Sequence, residues 1–281
     1  MTAREPDPAA HLLAARYGTS APELPSPAGG LNAVLETLLS HRTVRAFAPD
    51  RPLAEGTLEW LVAAAQSAAS SSNLQTWSVV AVEDTDRRAR LSALVGDQAS
   101  LREAPLVLVW IADLARLRAL AAHHQAPLGG EPYLDTFLMA VIDATLAAQN
   151  AAAAAESLGL GTCYIGGIRN RSEAVAEELG LVPGTFAVFG LVVGHPDPAR
   201  PAAIKPRLPQ AAVLSRERFT ATAPEPHVAD YDRTLAAFQV SQSLSAVGWT
   251  QPVLTRLRGP DSLNGRHRLV EALGRHDVGL R

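Results

Sequence analysis

Residues 133–167 read YLDTFLMAVIDATLAAQNAAAAAESLGLGTCYIGG, and this stretch decides the fold. Tyr133 to Leu158 is almost all strong helix formers and stops at Gly159, a residue suited to ending a helix. The run is long enough to weigh as a membrane span. Asp135, Asp143, Gln149, Asn150 and Glu156 interrupt it, and its small residues are alanines rather than leucines. It reads as a buried central helix whose alanines let another helix approach, as a packing or dimer axis. The glycines that follow are not a dinucleotide fingerprint. G-x-G-x-x-G needs a strand before it, whereas this segment follows a helix and has Tyr164 at the third glycine position. Gly159 and Gly161 read as helix C-caps. Gly166 and Gly167 leave backbone N–H groups open to a flat ligand.

Outward from this helix the pattern alternates. Upstream, Leu31, Val34, Leu35, Leu38 and Leu39 have helical spacing, and Leu58, Leu61, Val62 and Ala65 mark a second amphipathic helix. A strand is expected over 77–83, a helix opened by Asp84 or Thr85, and a buried strand over 104–113. Downstream come a strand in TFAVFGLVVGHP, a helix over 171–179 before it, and a tail with a helix around YDRTLAAFQV and an irregular end. Helices come first and strands then interleave without a βαβ repeat, which predicts α+β. Residues 1–30, rich in Pro, Ala, Ser and Gly, are expected to be a surface or fraying N-terminal extension, 31–218 the core, and 219–281 a C-terminal excursion.

The 281 residues hold 25 basic and 28 acidic side chains, and Lys205 is the one lysine beside 24 arginines. A hydrophobic share of 47% is globular. The pI near 6.2 gives no basic field for nucleic acid. One cysteine, Cys163, builds neither an internal disulfide nor a thiolate zinc site. The N-terminus carries early acidic residues and no apolar signal core, so a cytoplasmic protein that does not use a membrane is expected.

Four clusters could carry chemistry. His41-Arg42-Thr43-Val44-Arg45 sets two guanidinium forks around a hydroxyl, which suits a phosphate, although a solvated helix end has the same composition. Ser70-Ser71-Ser72-Asn73 offers donors between an apolar helix and an apolar strand, or is a polar loop. Lys205-Pro206-Arg207 is a rigid cationic tripeptide or a surface turn. The fourth is the glycine-rich end of the opening stretch. No hydrolase elbow, P-loop or H-E-x-x-H occurs, and no metal site is expected. His123 and His124 are adjacent, point apart, and are placed on a polar loop.

HRTVRAF, SSSNLQTWSVVAV, GDQ at 96–98, AAQNAAAAAESLGLGTCYIGGIRN, FGLVVGHP and KPRLP occur here in one order. That ordered set resembles the FMN-dependent nitroreductases, in the branch of the major oxygen-insensitive nitroreductases and NADPH–FMN oxidoreductases, over roughly residues 31–240. The resemblance implies an α+β fold with a mostly antiparallel sheet flanked by helices, in an entwined homodimer with two FMN sites at its interface. It implies that His41, Arg42, Thr43 and Arg45 contact the FMN phosphate and ribityl chain. Ser70, Ser71 and Ser72 reach the flavin of the other subunit, and Gln98 lies beside the ring. Tyr164, Ile165, Gly166 and Gly167 present backbone N–H groups near N5, and Lys205 and Arg207 form a second cationic clasp.

The activity so implied is ping-pong transfer from NADPH or NADH through flavin N5 to nitroaromatics or quinones, with no catalytic acid, base or nucleophile from the protein. A free-flavin or azo reductase of the same fold, or a non-catalytic flavin-binding protein, is the alternative. In that branch a loop after the YD..L helix carries arginines linked to NADPH recognition. Here Gln239 to Trp249 has neither Arg nor Lys, and Arg169, Arg256 and Arg258 are charges elsewhere that could replace them.

Overall fold

The computed structural model describes residues 8–25, 27–220 and 227–281. In chain order its helices and strands are α1 (Pro8–Tyr17), α2 (Ala33–Leu39), α3 (Thr57–Gln66), β1 (Trp77–Val82), α4 (Thr85–Leu94), α5 (Ala99–Glu103), β2 (Leu106–Asp113), α6 (Ala115–His123), α7 (Leu134–Ser157), β3 (Gly161–Ile165), α8 (Ser172–Leu179), β4 (Thr185–Gly194), α9 (His227–Ser241), α10 (Thr250–Arg256) and α11 (Leu269–Arg275). The chain forms two compact units. One takes residues up to 42 with 202–262, the other 43–201 with 263–281.

The second unit is built on one antiparallel sheet of order β1-β2-β4-β3, which makes the class α+β as expected. Every residue of β2 is buried, so both faces of the sheet are covered. On one face Leu106, Leu108 and Trp110 meet Ala147, Ala148, Ala151, Ala152 and Ala155 of α7, with Leu61 and Ala65 of α3. Small side chains let α7 lie close on the sheet, which explains the alanine run of the opening stretch. By length and composition α7 could cross a membrane, but its alanine face is buried in protein. Gly159, at φ +76°, ends it in the left-handed region.

Gly161 is not a cap. It is the first residue of β3, and a Cβ there would stand 2.7 Å from Val44 Cβ. The helix α6 was not expected, and it corrects the placement of the paired histidines. His123 is its last residue and His124 its C-cap, with the two rings edge to face at 5.0 Å. The chain end is also more regular than expected. Leu273 of α11 and Val278 join Ala112, Ala140, Ala144 and Phe186 in a second core cluster.

In the first unit the expected N-terminal extension is described over residues 8–25 and 27–30, much of it at the surface. From residue 8 a helix forms, and Leu13 and Tyr17 of α1 face Leu31, Leu35 and Leu39 around a cavity of about 520 Å³ that Leu24 and Pro25 help to line. Leu13, Tyr17, Leu31, Leu35 and Leu39 are half-buried there, while Leu24 and Pro25 are exposed. The expected α2 stripe is split, since Val34 and Leu38 are exposed.

Candidate functional site

In the first unit, two of the cationic clusters meet on a residue that no motif contains. Arg16, near the end of α1, is 7% exposed. Its Nη1 donates to the Lys205 carbonyl at 2.9 Å, and its Nη2 to the carbonyls of Leu39 at 2.9 Å and His41 at 2.8 Å. The Arg207 N–H returns a bond to the Arg16 carbonyl at 2.8 Å. The last carbonyls of α1 and α2 lack partners within their helices, and these bonds supply them. The tripeptide is held from its other side by α9, where the Tyr231 hydroxyl donates to the Pro206 carbonyl at 2.9 Å. Burial raises the Tyr231 phenol above its ordinary range, which keeps it a neutral donor. Pro206 is buried while Lys205 and Arg207 on either side are exposed. His41, Arg42, Lys205 and Arg207 thus stand on one hydrogen-bonded frame.

In the second unit, Thr43 bridges to Thr162 in parallel, and the Val44 N–H donates to the Thr162 carbonyl at 2.9 Å. The segment from Thr43 to Arg45 therefore runs along β3, which leads through Tyr164 and Ile165 to the two glycines. Gly161 has no side chain because Val44 occupies that space. Arg45 is exposed. Tyr164 sets its ring edge to face on Phe189 at 5.3 Å, and desolvation, with the Glu156 carboxylate adding to it, raises its phenol.

The glycine pair divides into two roles. A Cβ on Gly167 would meet the Val95 carbonyl at 2.5 Å and Gln98 Nε2 at 3.0 Å, so protein packing, not a ligand, requires this glycine. Gly166 is open, and the nearest atoms to its missing Cβ are guanidinium nitrogens of Arg169 and Arg266, each at 3.6 Å. Gln98 donates to the Val95 carbonyl at 3.2 Å and starts α5, and so lies next to Gly167.

The serines are organised from elsewhere, by α7. Asp143, 1% exposed, accepts from the Ser70 hydroxyl at 2.7 Å, the Ser71 N–H at 2.9 Å, and the N–H and hydroxyl of Thr76 at 3.2 and 3.1 Å. Between them Ser72, Asn73 and Gln75 are left-handed, at φ 49°, 56° and 52°. Non-glycine residues resist that region, so a buried carboxylate with four donors holds the loop in a shape it would not keep alone.

The sequence motifs miss Arg16, Asp143, Tyr231 and Arg266. Two of them carry a visible signal. Arg16 sits three residues from Leu13 on an apolar helix face, and Asp143 lies between Ala140 and Ala144 on the buried face of α7. A charge on a core-facing stripe is rare unless it is partnered.

The chain is similar to known proteins. Residues 38–195 match the nitroreductase family, and residues 205–281 the C-terminal domain of that family. The chain is 38% identical over 213 residues to the FMN reductase (NADPH) of Bacillus subtilis (strain 168), covering 74% of this chain and 84% of that one. It is 36% identical over 212 residues to the oxygen-insensitive NADPH nitroreductase of Salmonella typhimurium, covering 75% and 85%. The solved structure of B. megaterium NfrA2 superposes with a TM-score of 0.84 at 35% identity, over 89% of this chain and 100% of that one. On sequence and fold together, the chain belongs to the nitroreductase family.

Proposed function

We propose that the protein is an FMN-dependent NAD(P)H oxidoreductase that reduces nitroaromatics and quinones. The observation that carries this reading is the cationic frame of His41, Arg42, Lys205 and Arg207, held together through Arg16. Its chemistry fits FMN, since a phosphate with close to two negative charges requires several cationic donors. The relatives named FMN reductase and NADPH nitroreductase support the same cofactor and donor.

In this reading His41, Arg42, Thr43 and Arg45 bind the phosphate and ribityl chain, and Lys205 and Arg207 close the second clasp. Gln98, Tyr164 and Ile165 line the ring. The N–H groups of Gly166 and Gly167 donate toward it and stabilise negative charge there. Arg169 and Arg266 add positive charge beside Gly166. The chemistry FMN supplies when bound is hydride acceptance at N5 and delivery of electrons to the acceptor, in ping-pong order. The protein orients two flat molecules in turn, which requires no acid or base from the chain.

The homodimer belongs to the same proposal. Leu134, Leu138, Ile142 and Leu146 form an exposed apolar stripe along α7, opposite its alanine face, and a second copy would cover it. Ser70, Ser71 and Ser72 then serve the flavin of the other subunit. A cytoplasmic setting agrees with the lone cysteine.

Purified protein is expected to be yellow and to release stoichiometric FMN on acid denaturation. Stopped-flow mixing with NADPH or NADH should bleach it, and nitrofurazone, a quinone or free FMN should restore the colour. A colourless protein that takes up no FMN in a titration ends the proposal, and slow bleaching by both donors leaves only a flavin-binding protein.

A further inference from the structure

We propose that Arg16 is a positioning residue for the flavin phosphate: its buried guanidinium sets the spacing between the His41-Arg42 and Lys205-Arg207 segments before the cofactor arrives. This deepens the FMN reading above and rests on it. The helix that carries Arg16 lies outside both segments that match the family, 38–195 and 205–281, so the match itself assigns it nothing.

A guanidinium that is 7% exposed has to spend its donors on protein acceptors. Those of Arg16 reach three carbonyls on two chain segments, Leu39 and His41 on one and Lys205 on the other. A planar fork bridges two strands in one geometry, which a point charge on a flexible stem does not reproduce. The bond from the Arg207 N–H to the Arg16 carbonyl closes the frame on the far side of Pro206. Each cationic segment is thereby anchored through its backbone. Removing the guanidinium leaves three carbonyls without that donor and lets the segments drift apart. Phosphate binding must then order them first, and that ordering lowers affinity. The positive charge of Arg16 is lost at the same time.

The test compares FMN with riboflavin, which has the same ring and ribityl chain and no phosphate. Full-length protein freed of flavin is titrated with each, by flavin fluorescence, for wild type, Arg16→Ala, Arg16→Lys, Leu13→Ala and Lys205→Ala. Arg16→Ala is expected to raise the FMN Kd about tenfold or more, the loss of one charged hydrogen bond, with riboflavin moving less than about threefold. Arg16→Lys should lie between wild type and Arg16→Ala. Leu13→Ala loosens the same helix at the cavity without touching the frame, and should keep the wild-type ratio of the two Kd values.

Equal losses of FMN and riboflavin in Arg16→Ala overturn the proposal, as does a wild-type ratio in Arg16→Lys, which carries the test if the alanine variant does not fold. A ratio change of the same size in Leu13→Ala reduces Arg16 to a fold-stabilising residue and overturns it too. Lys205→Ala separates the two levels. If it leaves the ratio unchanged, the phosphate clasp itself fails; if it changes the ratio while Arg16→Ala does not, the inference about Arg16 alone fails.

Discussion

At the scale of single residues, the side chains that organise this protein are charges in apolar surroundings. Asp143 is the clearest case, because one carboxylate accepts four bonds from a loop with three left-handed residues. In Asp143→Asn, an amide would turn its N–H groups toward those donors, leaving some unmet. The loss is expected to be about 3 kcal/mol, read as a shift in urea midpoint, together with faster proteolysis within residues 70–76. An asparagine variant within about 0.5 kcal/mol of wild type would remove Asp143 from this role. In the sequence, Asp143 is visible only as an interruption of an apolar run. The motif residues were legible because their chemistry is concentrated in three to five neighbours. Arg16 and Asp143 stand out only as charges on apolar helix faces, and their partners were not legible, because each acts on residues distant in the chain.

At the scale of elements, spacing and caps predicted most of what formed. The strands β1, β2 and β4, α4 opened by Asp84, and α7 ended at Gly159 follow from β-branched or continuous apolar runs, an N-cap and a left-handed glycine, whereas β3 does not. Gly161 shows where local rules stop. It follows a helix and reads as a cap, but the Thr43–Thr162 bridge puts Val44 against it. Gly161→Ala would force its methyl into Val44, and should cost about 1–3 kcal/mol and lower the melting temperature. Adding Val44→Ala vacates that space and should recover part of the loss. A double variant no more stable than Gly161→Ala would mean that the close approach does not matter. Gly167 makes the same point at the site, since the paired glycines suggest a ligand contact and the fold uses one of them for Val95 and Gln98.

At the scale of the whole molecule, the exposed stripe of α7 bears on assembly. Leu138 and Ile142 are large, apolar and 47% and 54% exposed on a helix whose opposite face is core. Leu138→Glu with Ile142→Glu is expected to give a monomer by sedimentation equilibrium and to weaken FMN retention, because the serine loop would no longer reach a second copy. An unchanged mass would remove this stripe from the proposed dimer. The sequence by itself determined the fold class, the helix at its centre, the cationic and serine clusters, and the family they resemble. All of these depend on residue types within a few positions or on the order of short segments. Only the tertiary structure decided that Arg16 joins His41 to Lys205, that Asp143 shapes the serine loop, that Gly167 makes room for Gln98, and that residues up to 42 share one unit with 202–262. Those outcomes depend on which distant carbonyl or carboxylate meets a buried donor, and that is settled only when burial removes water as the alternative partner.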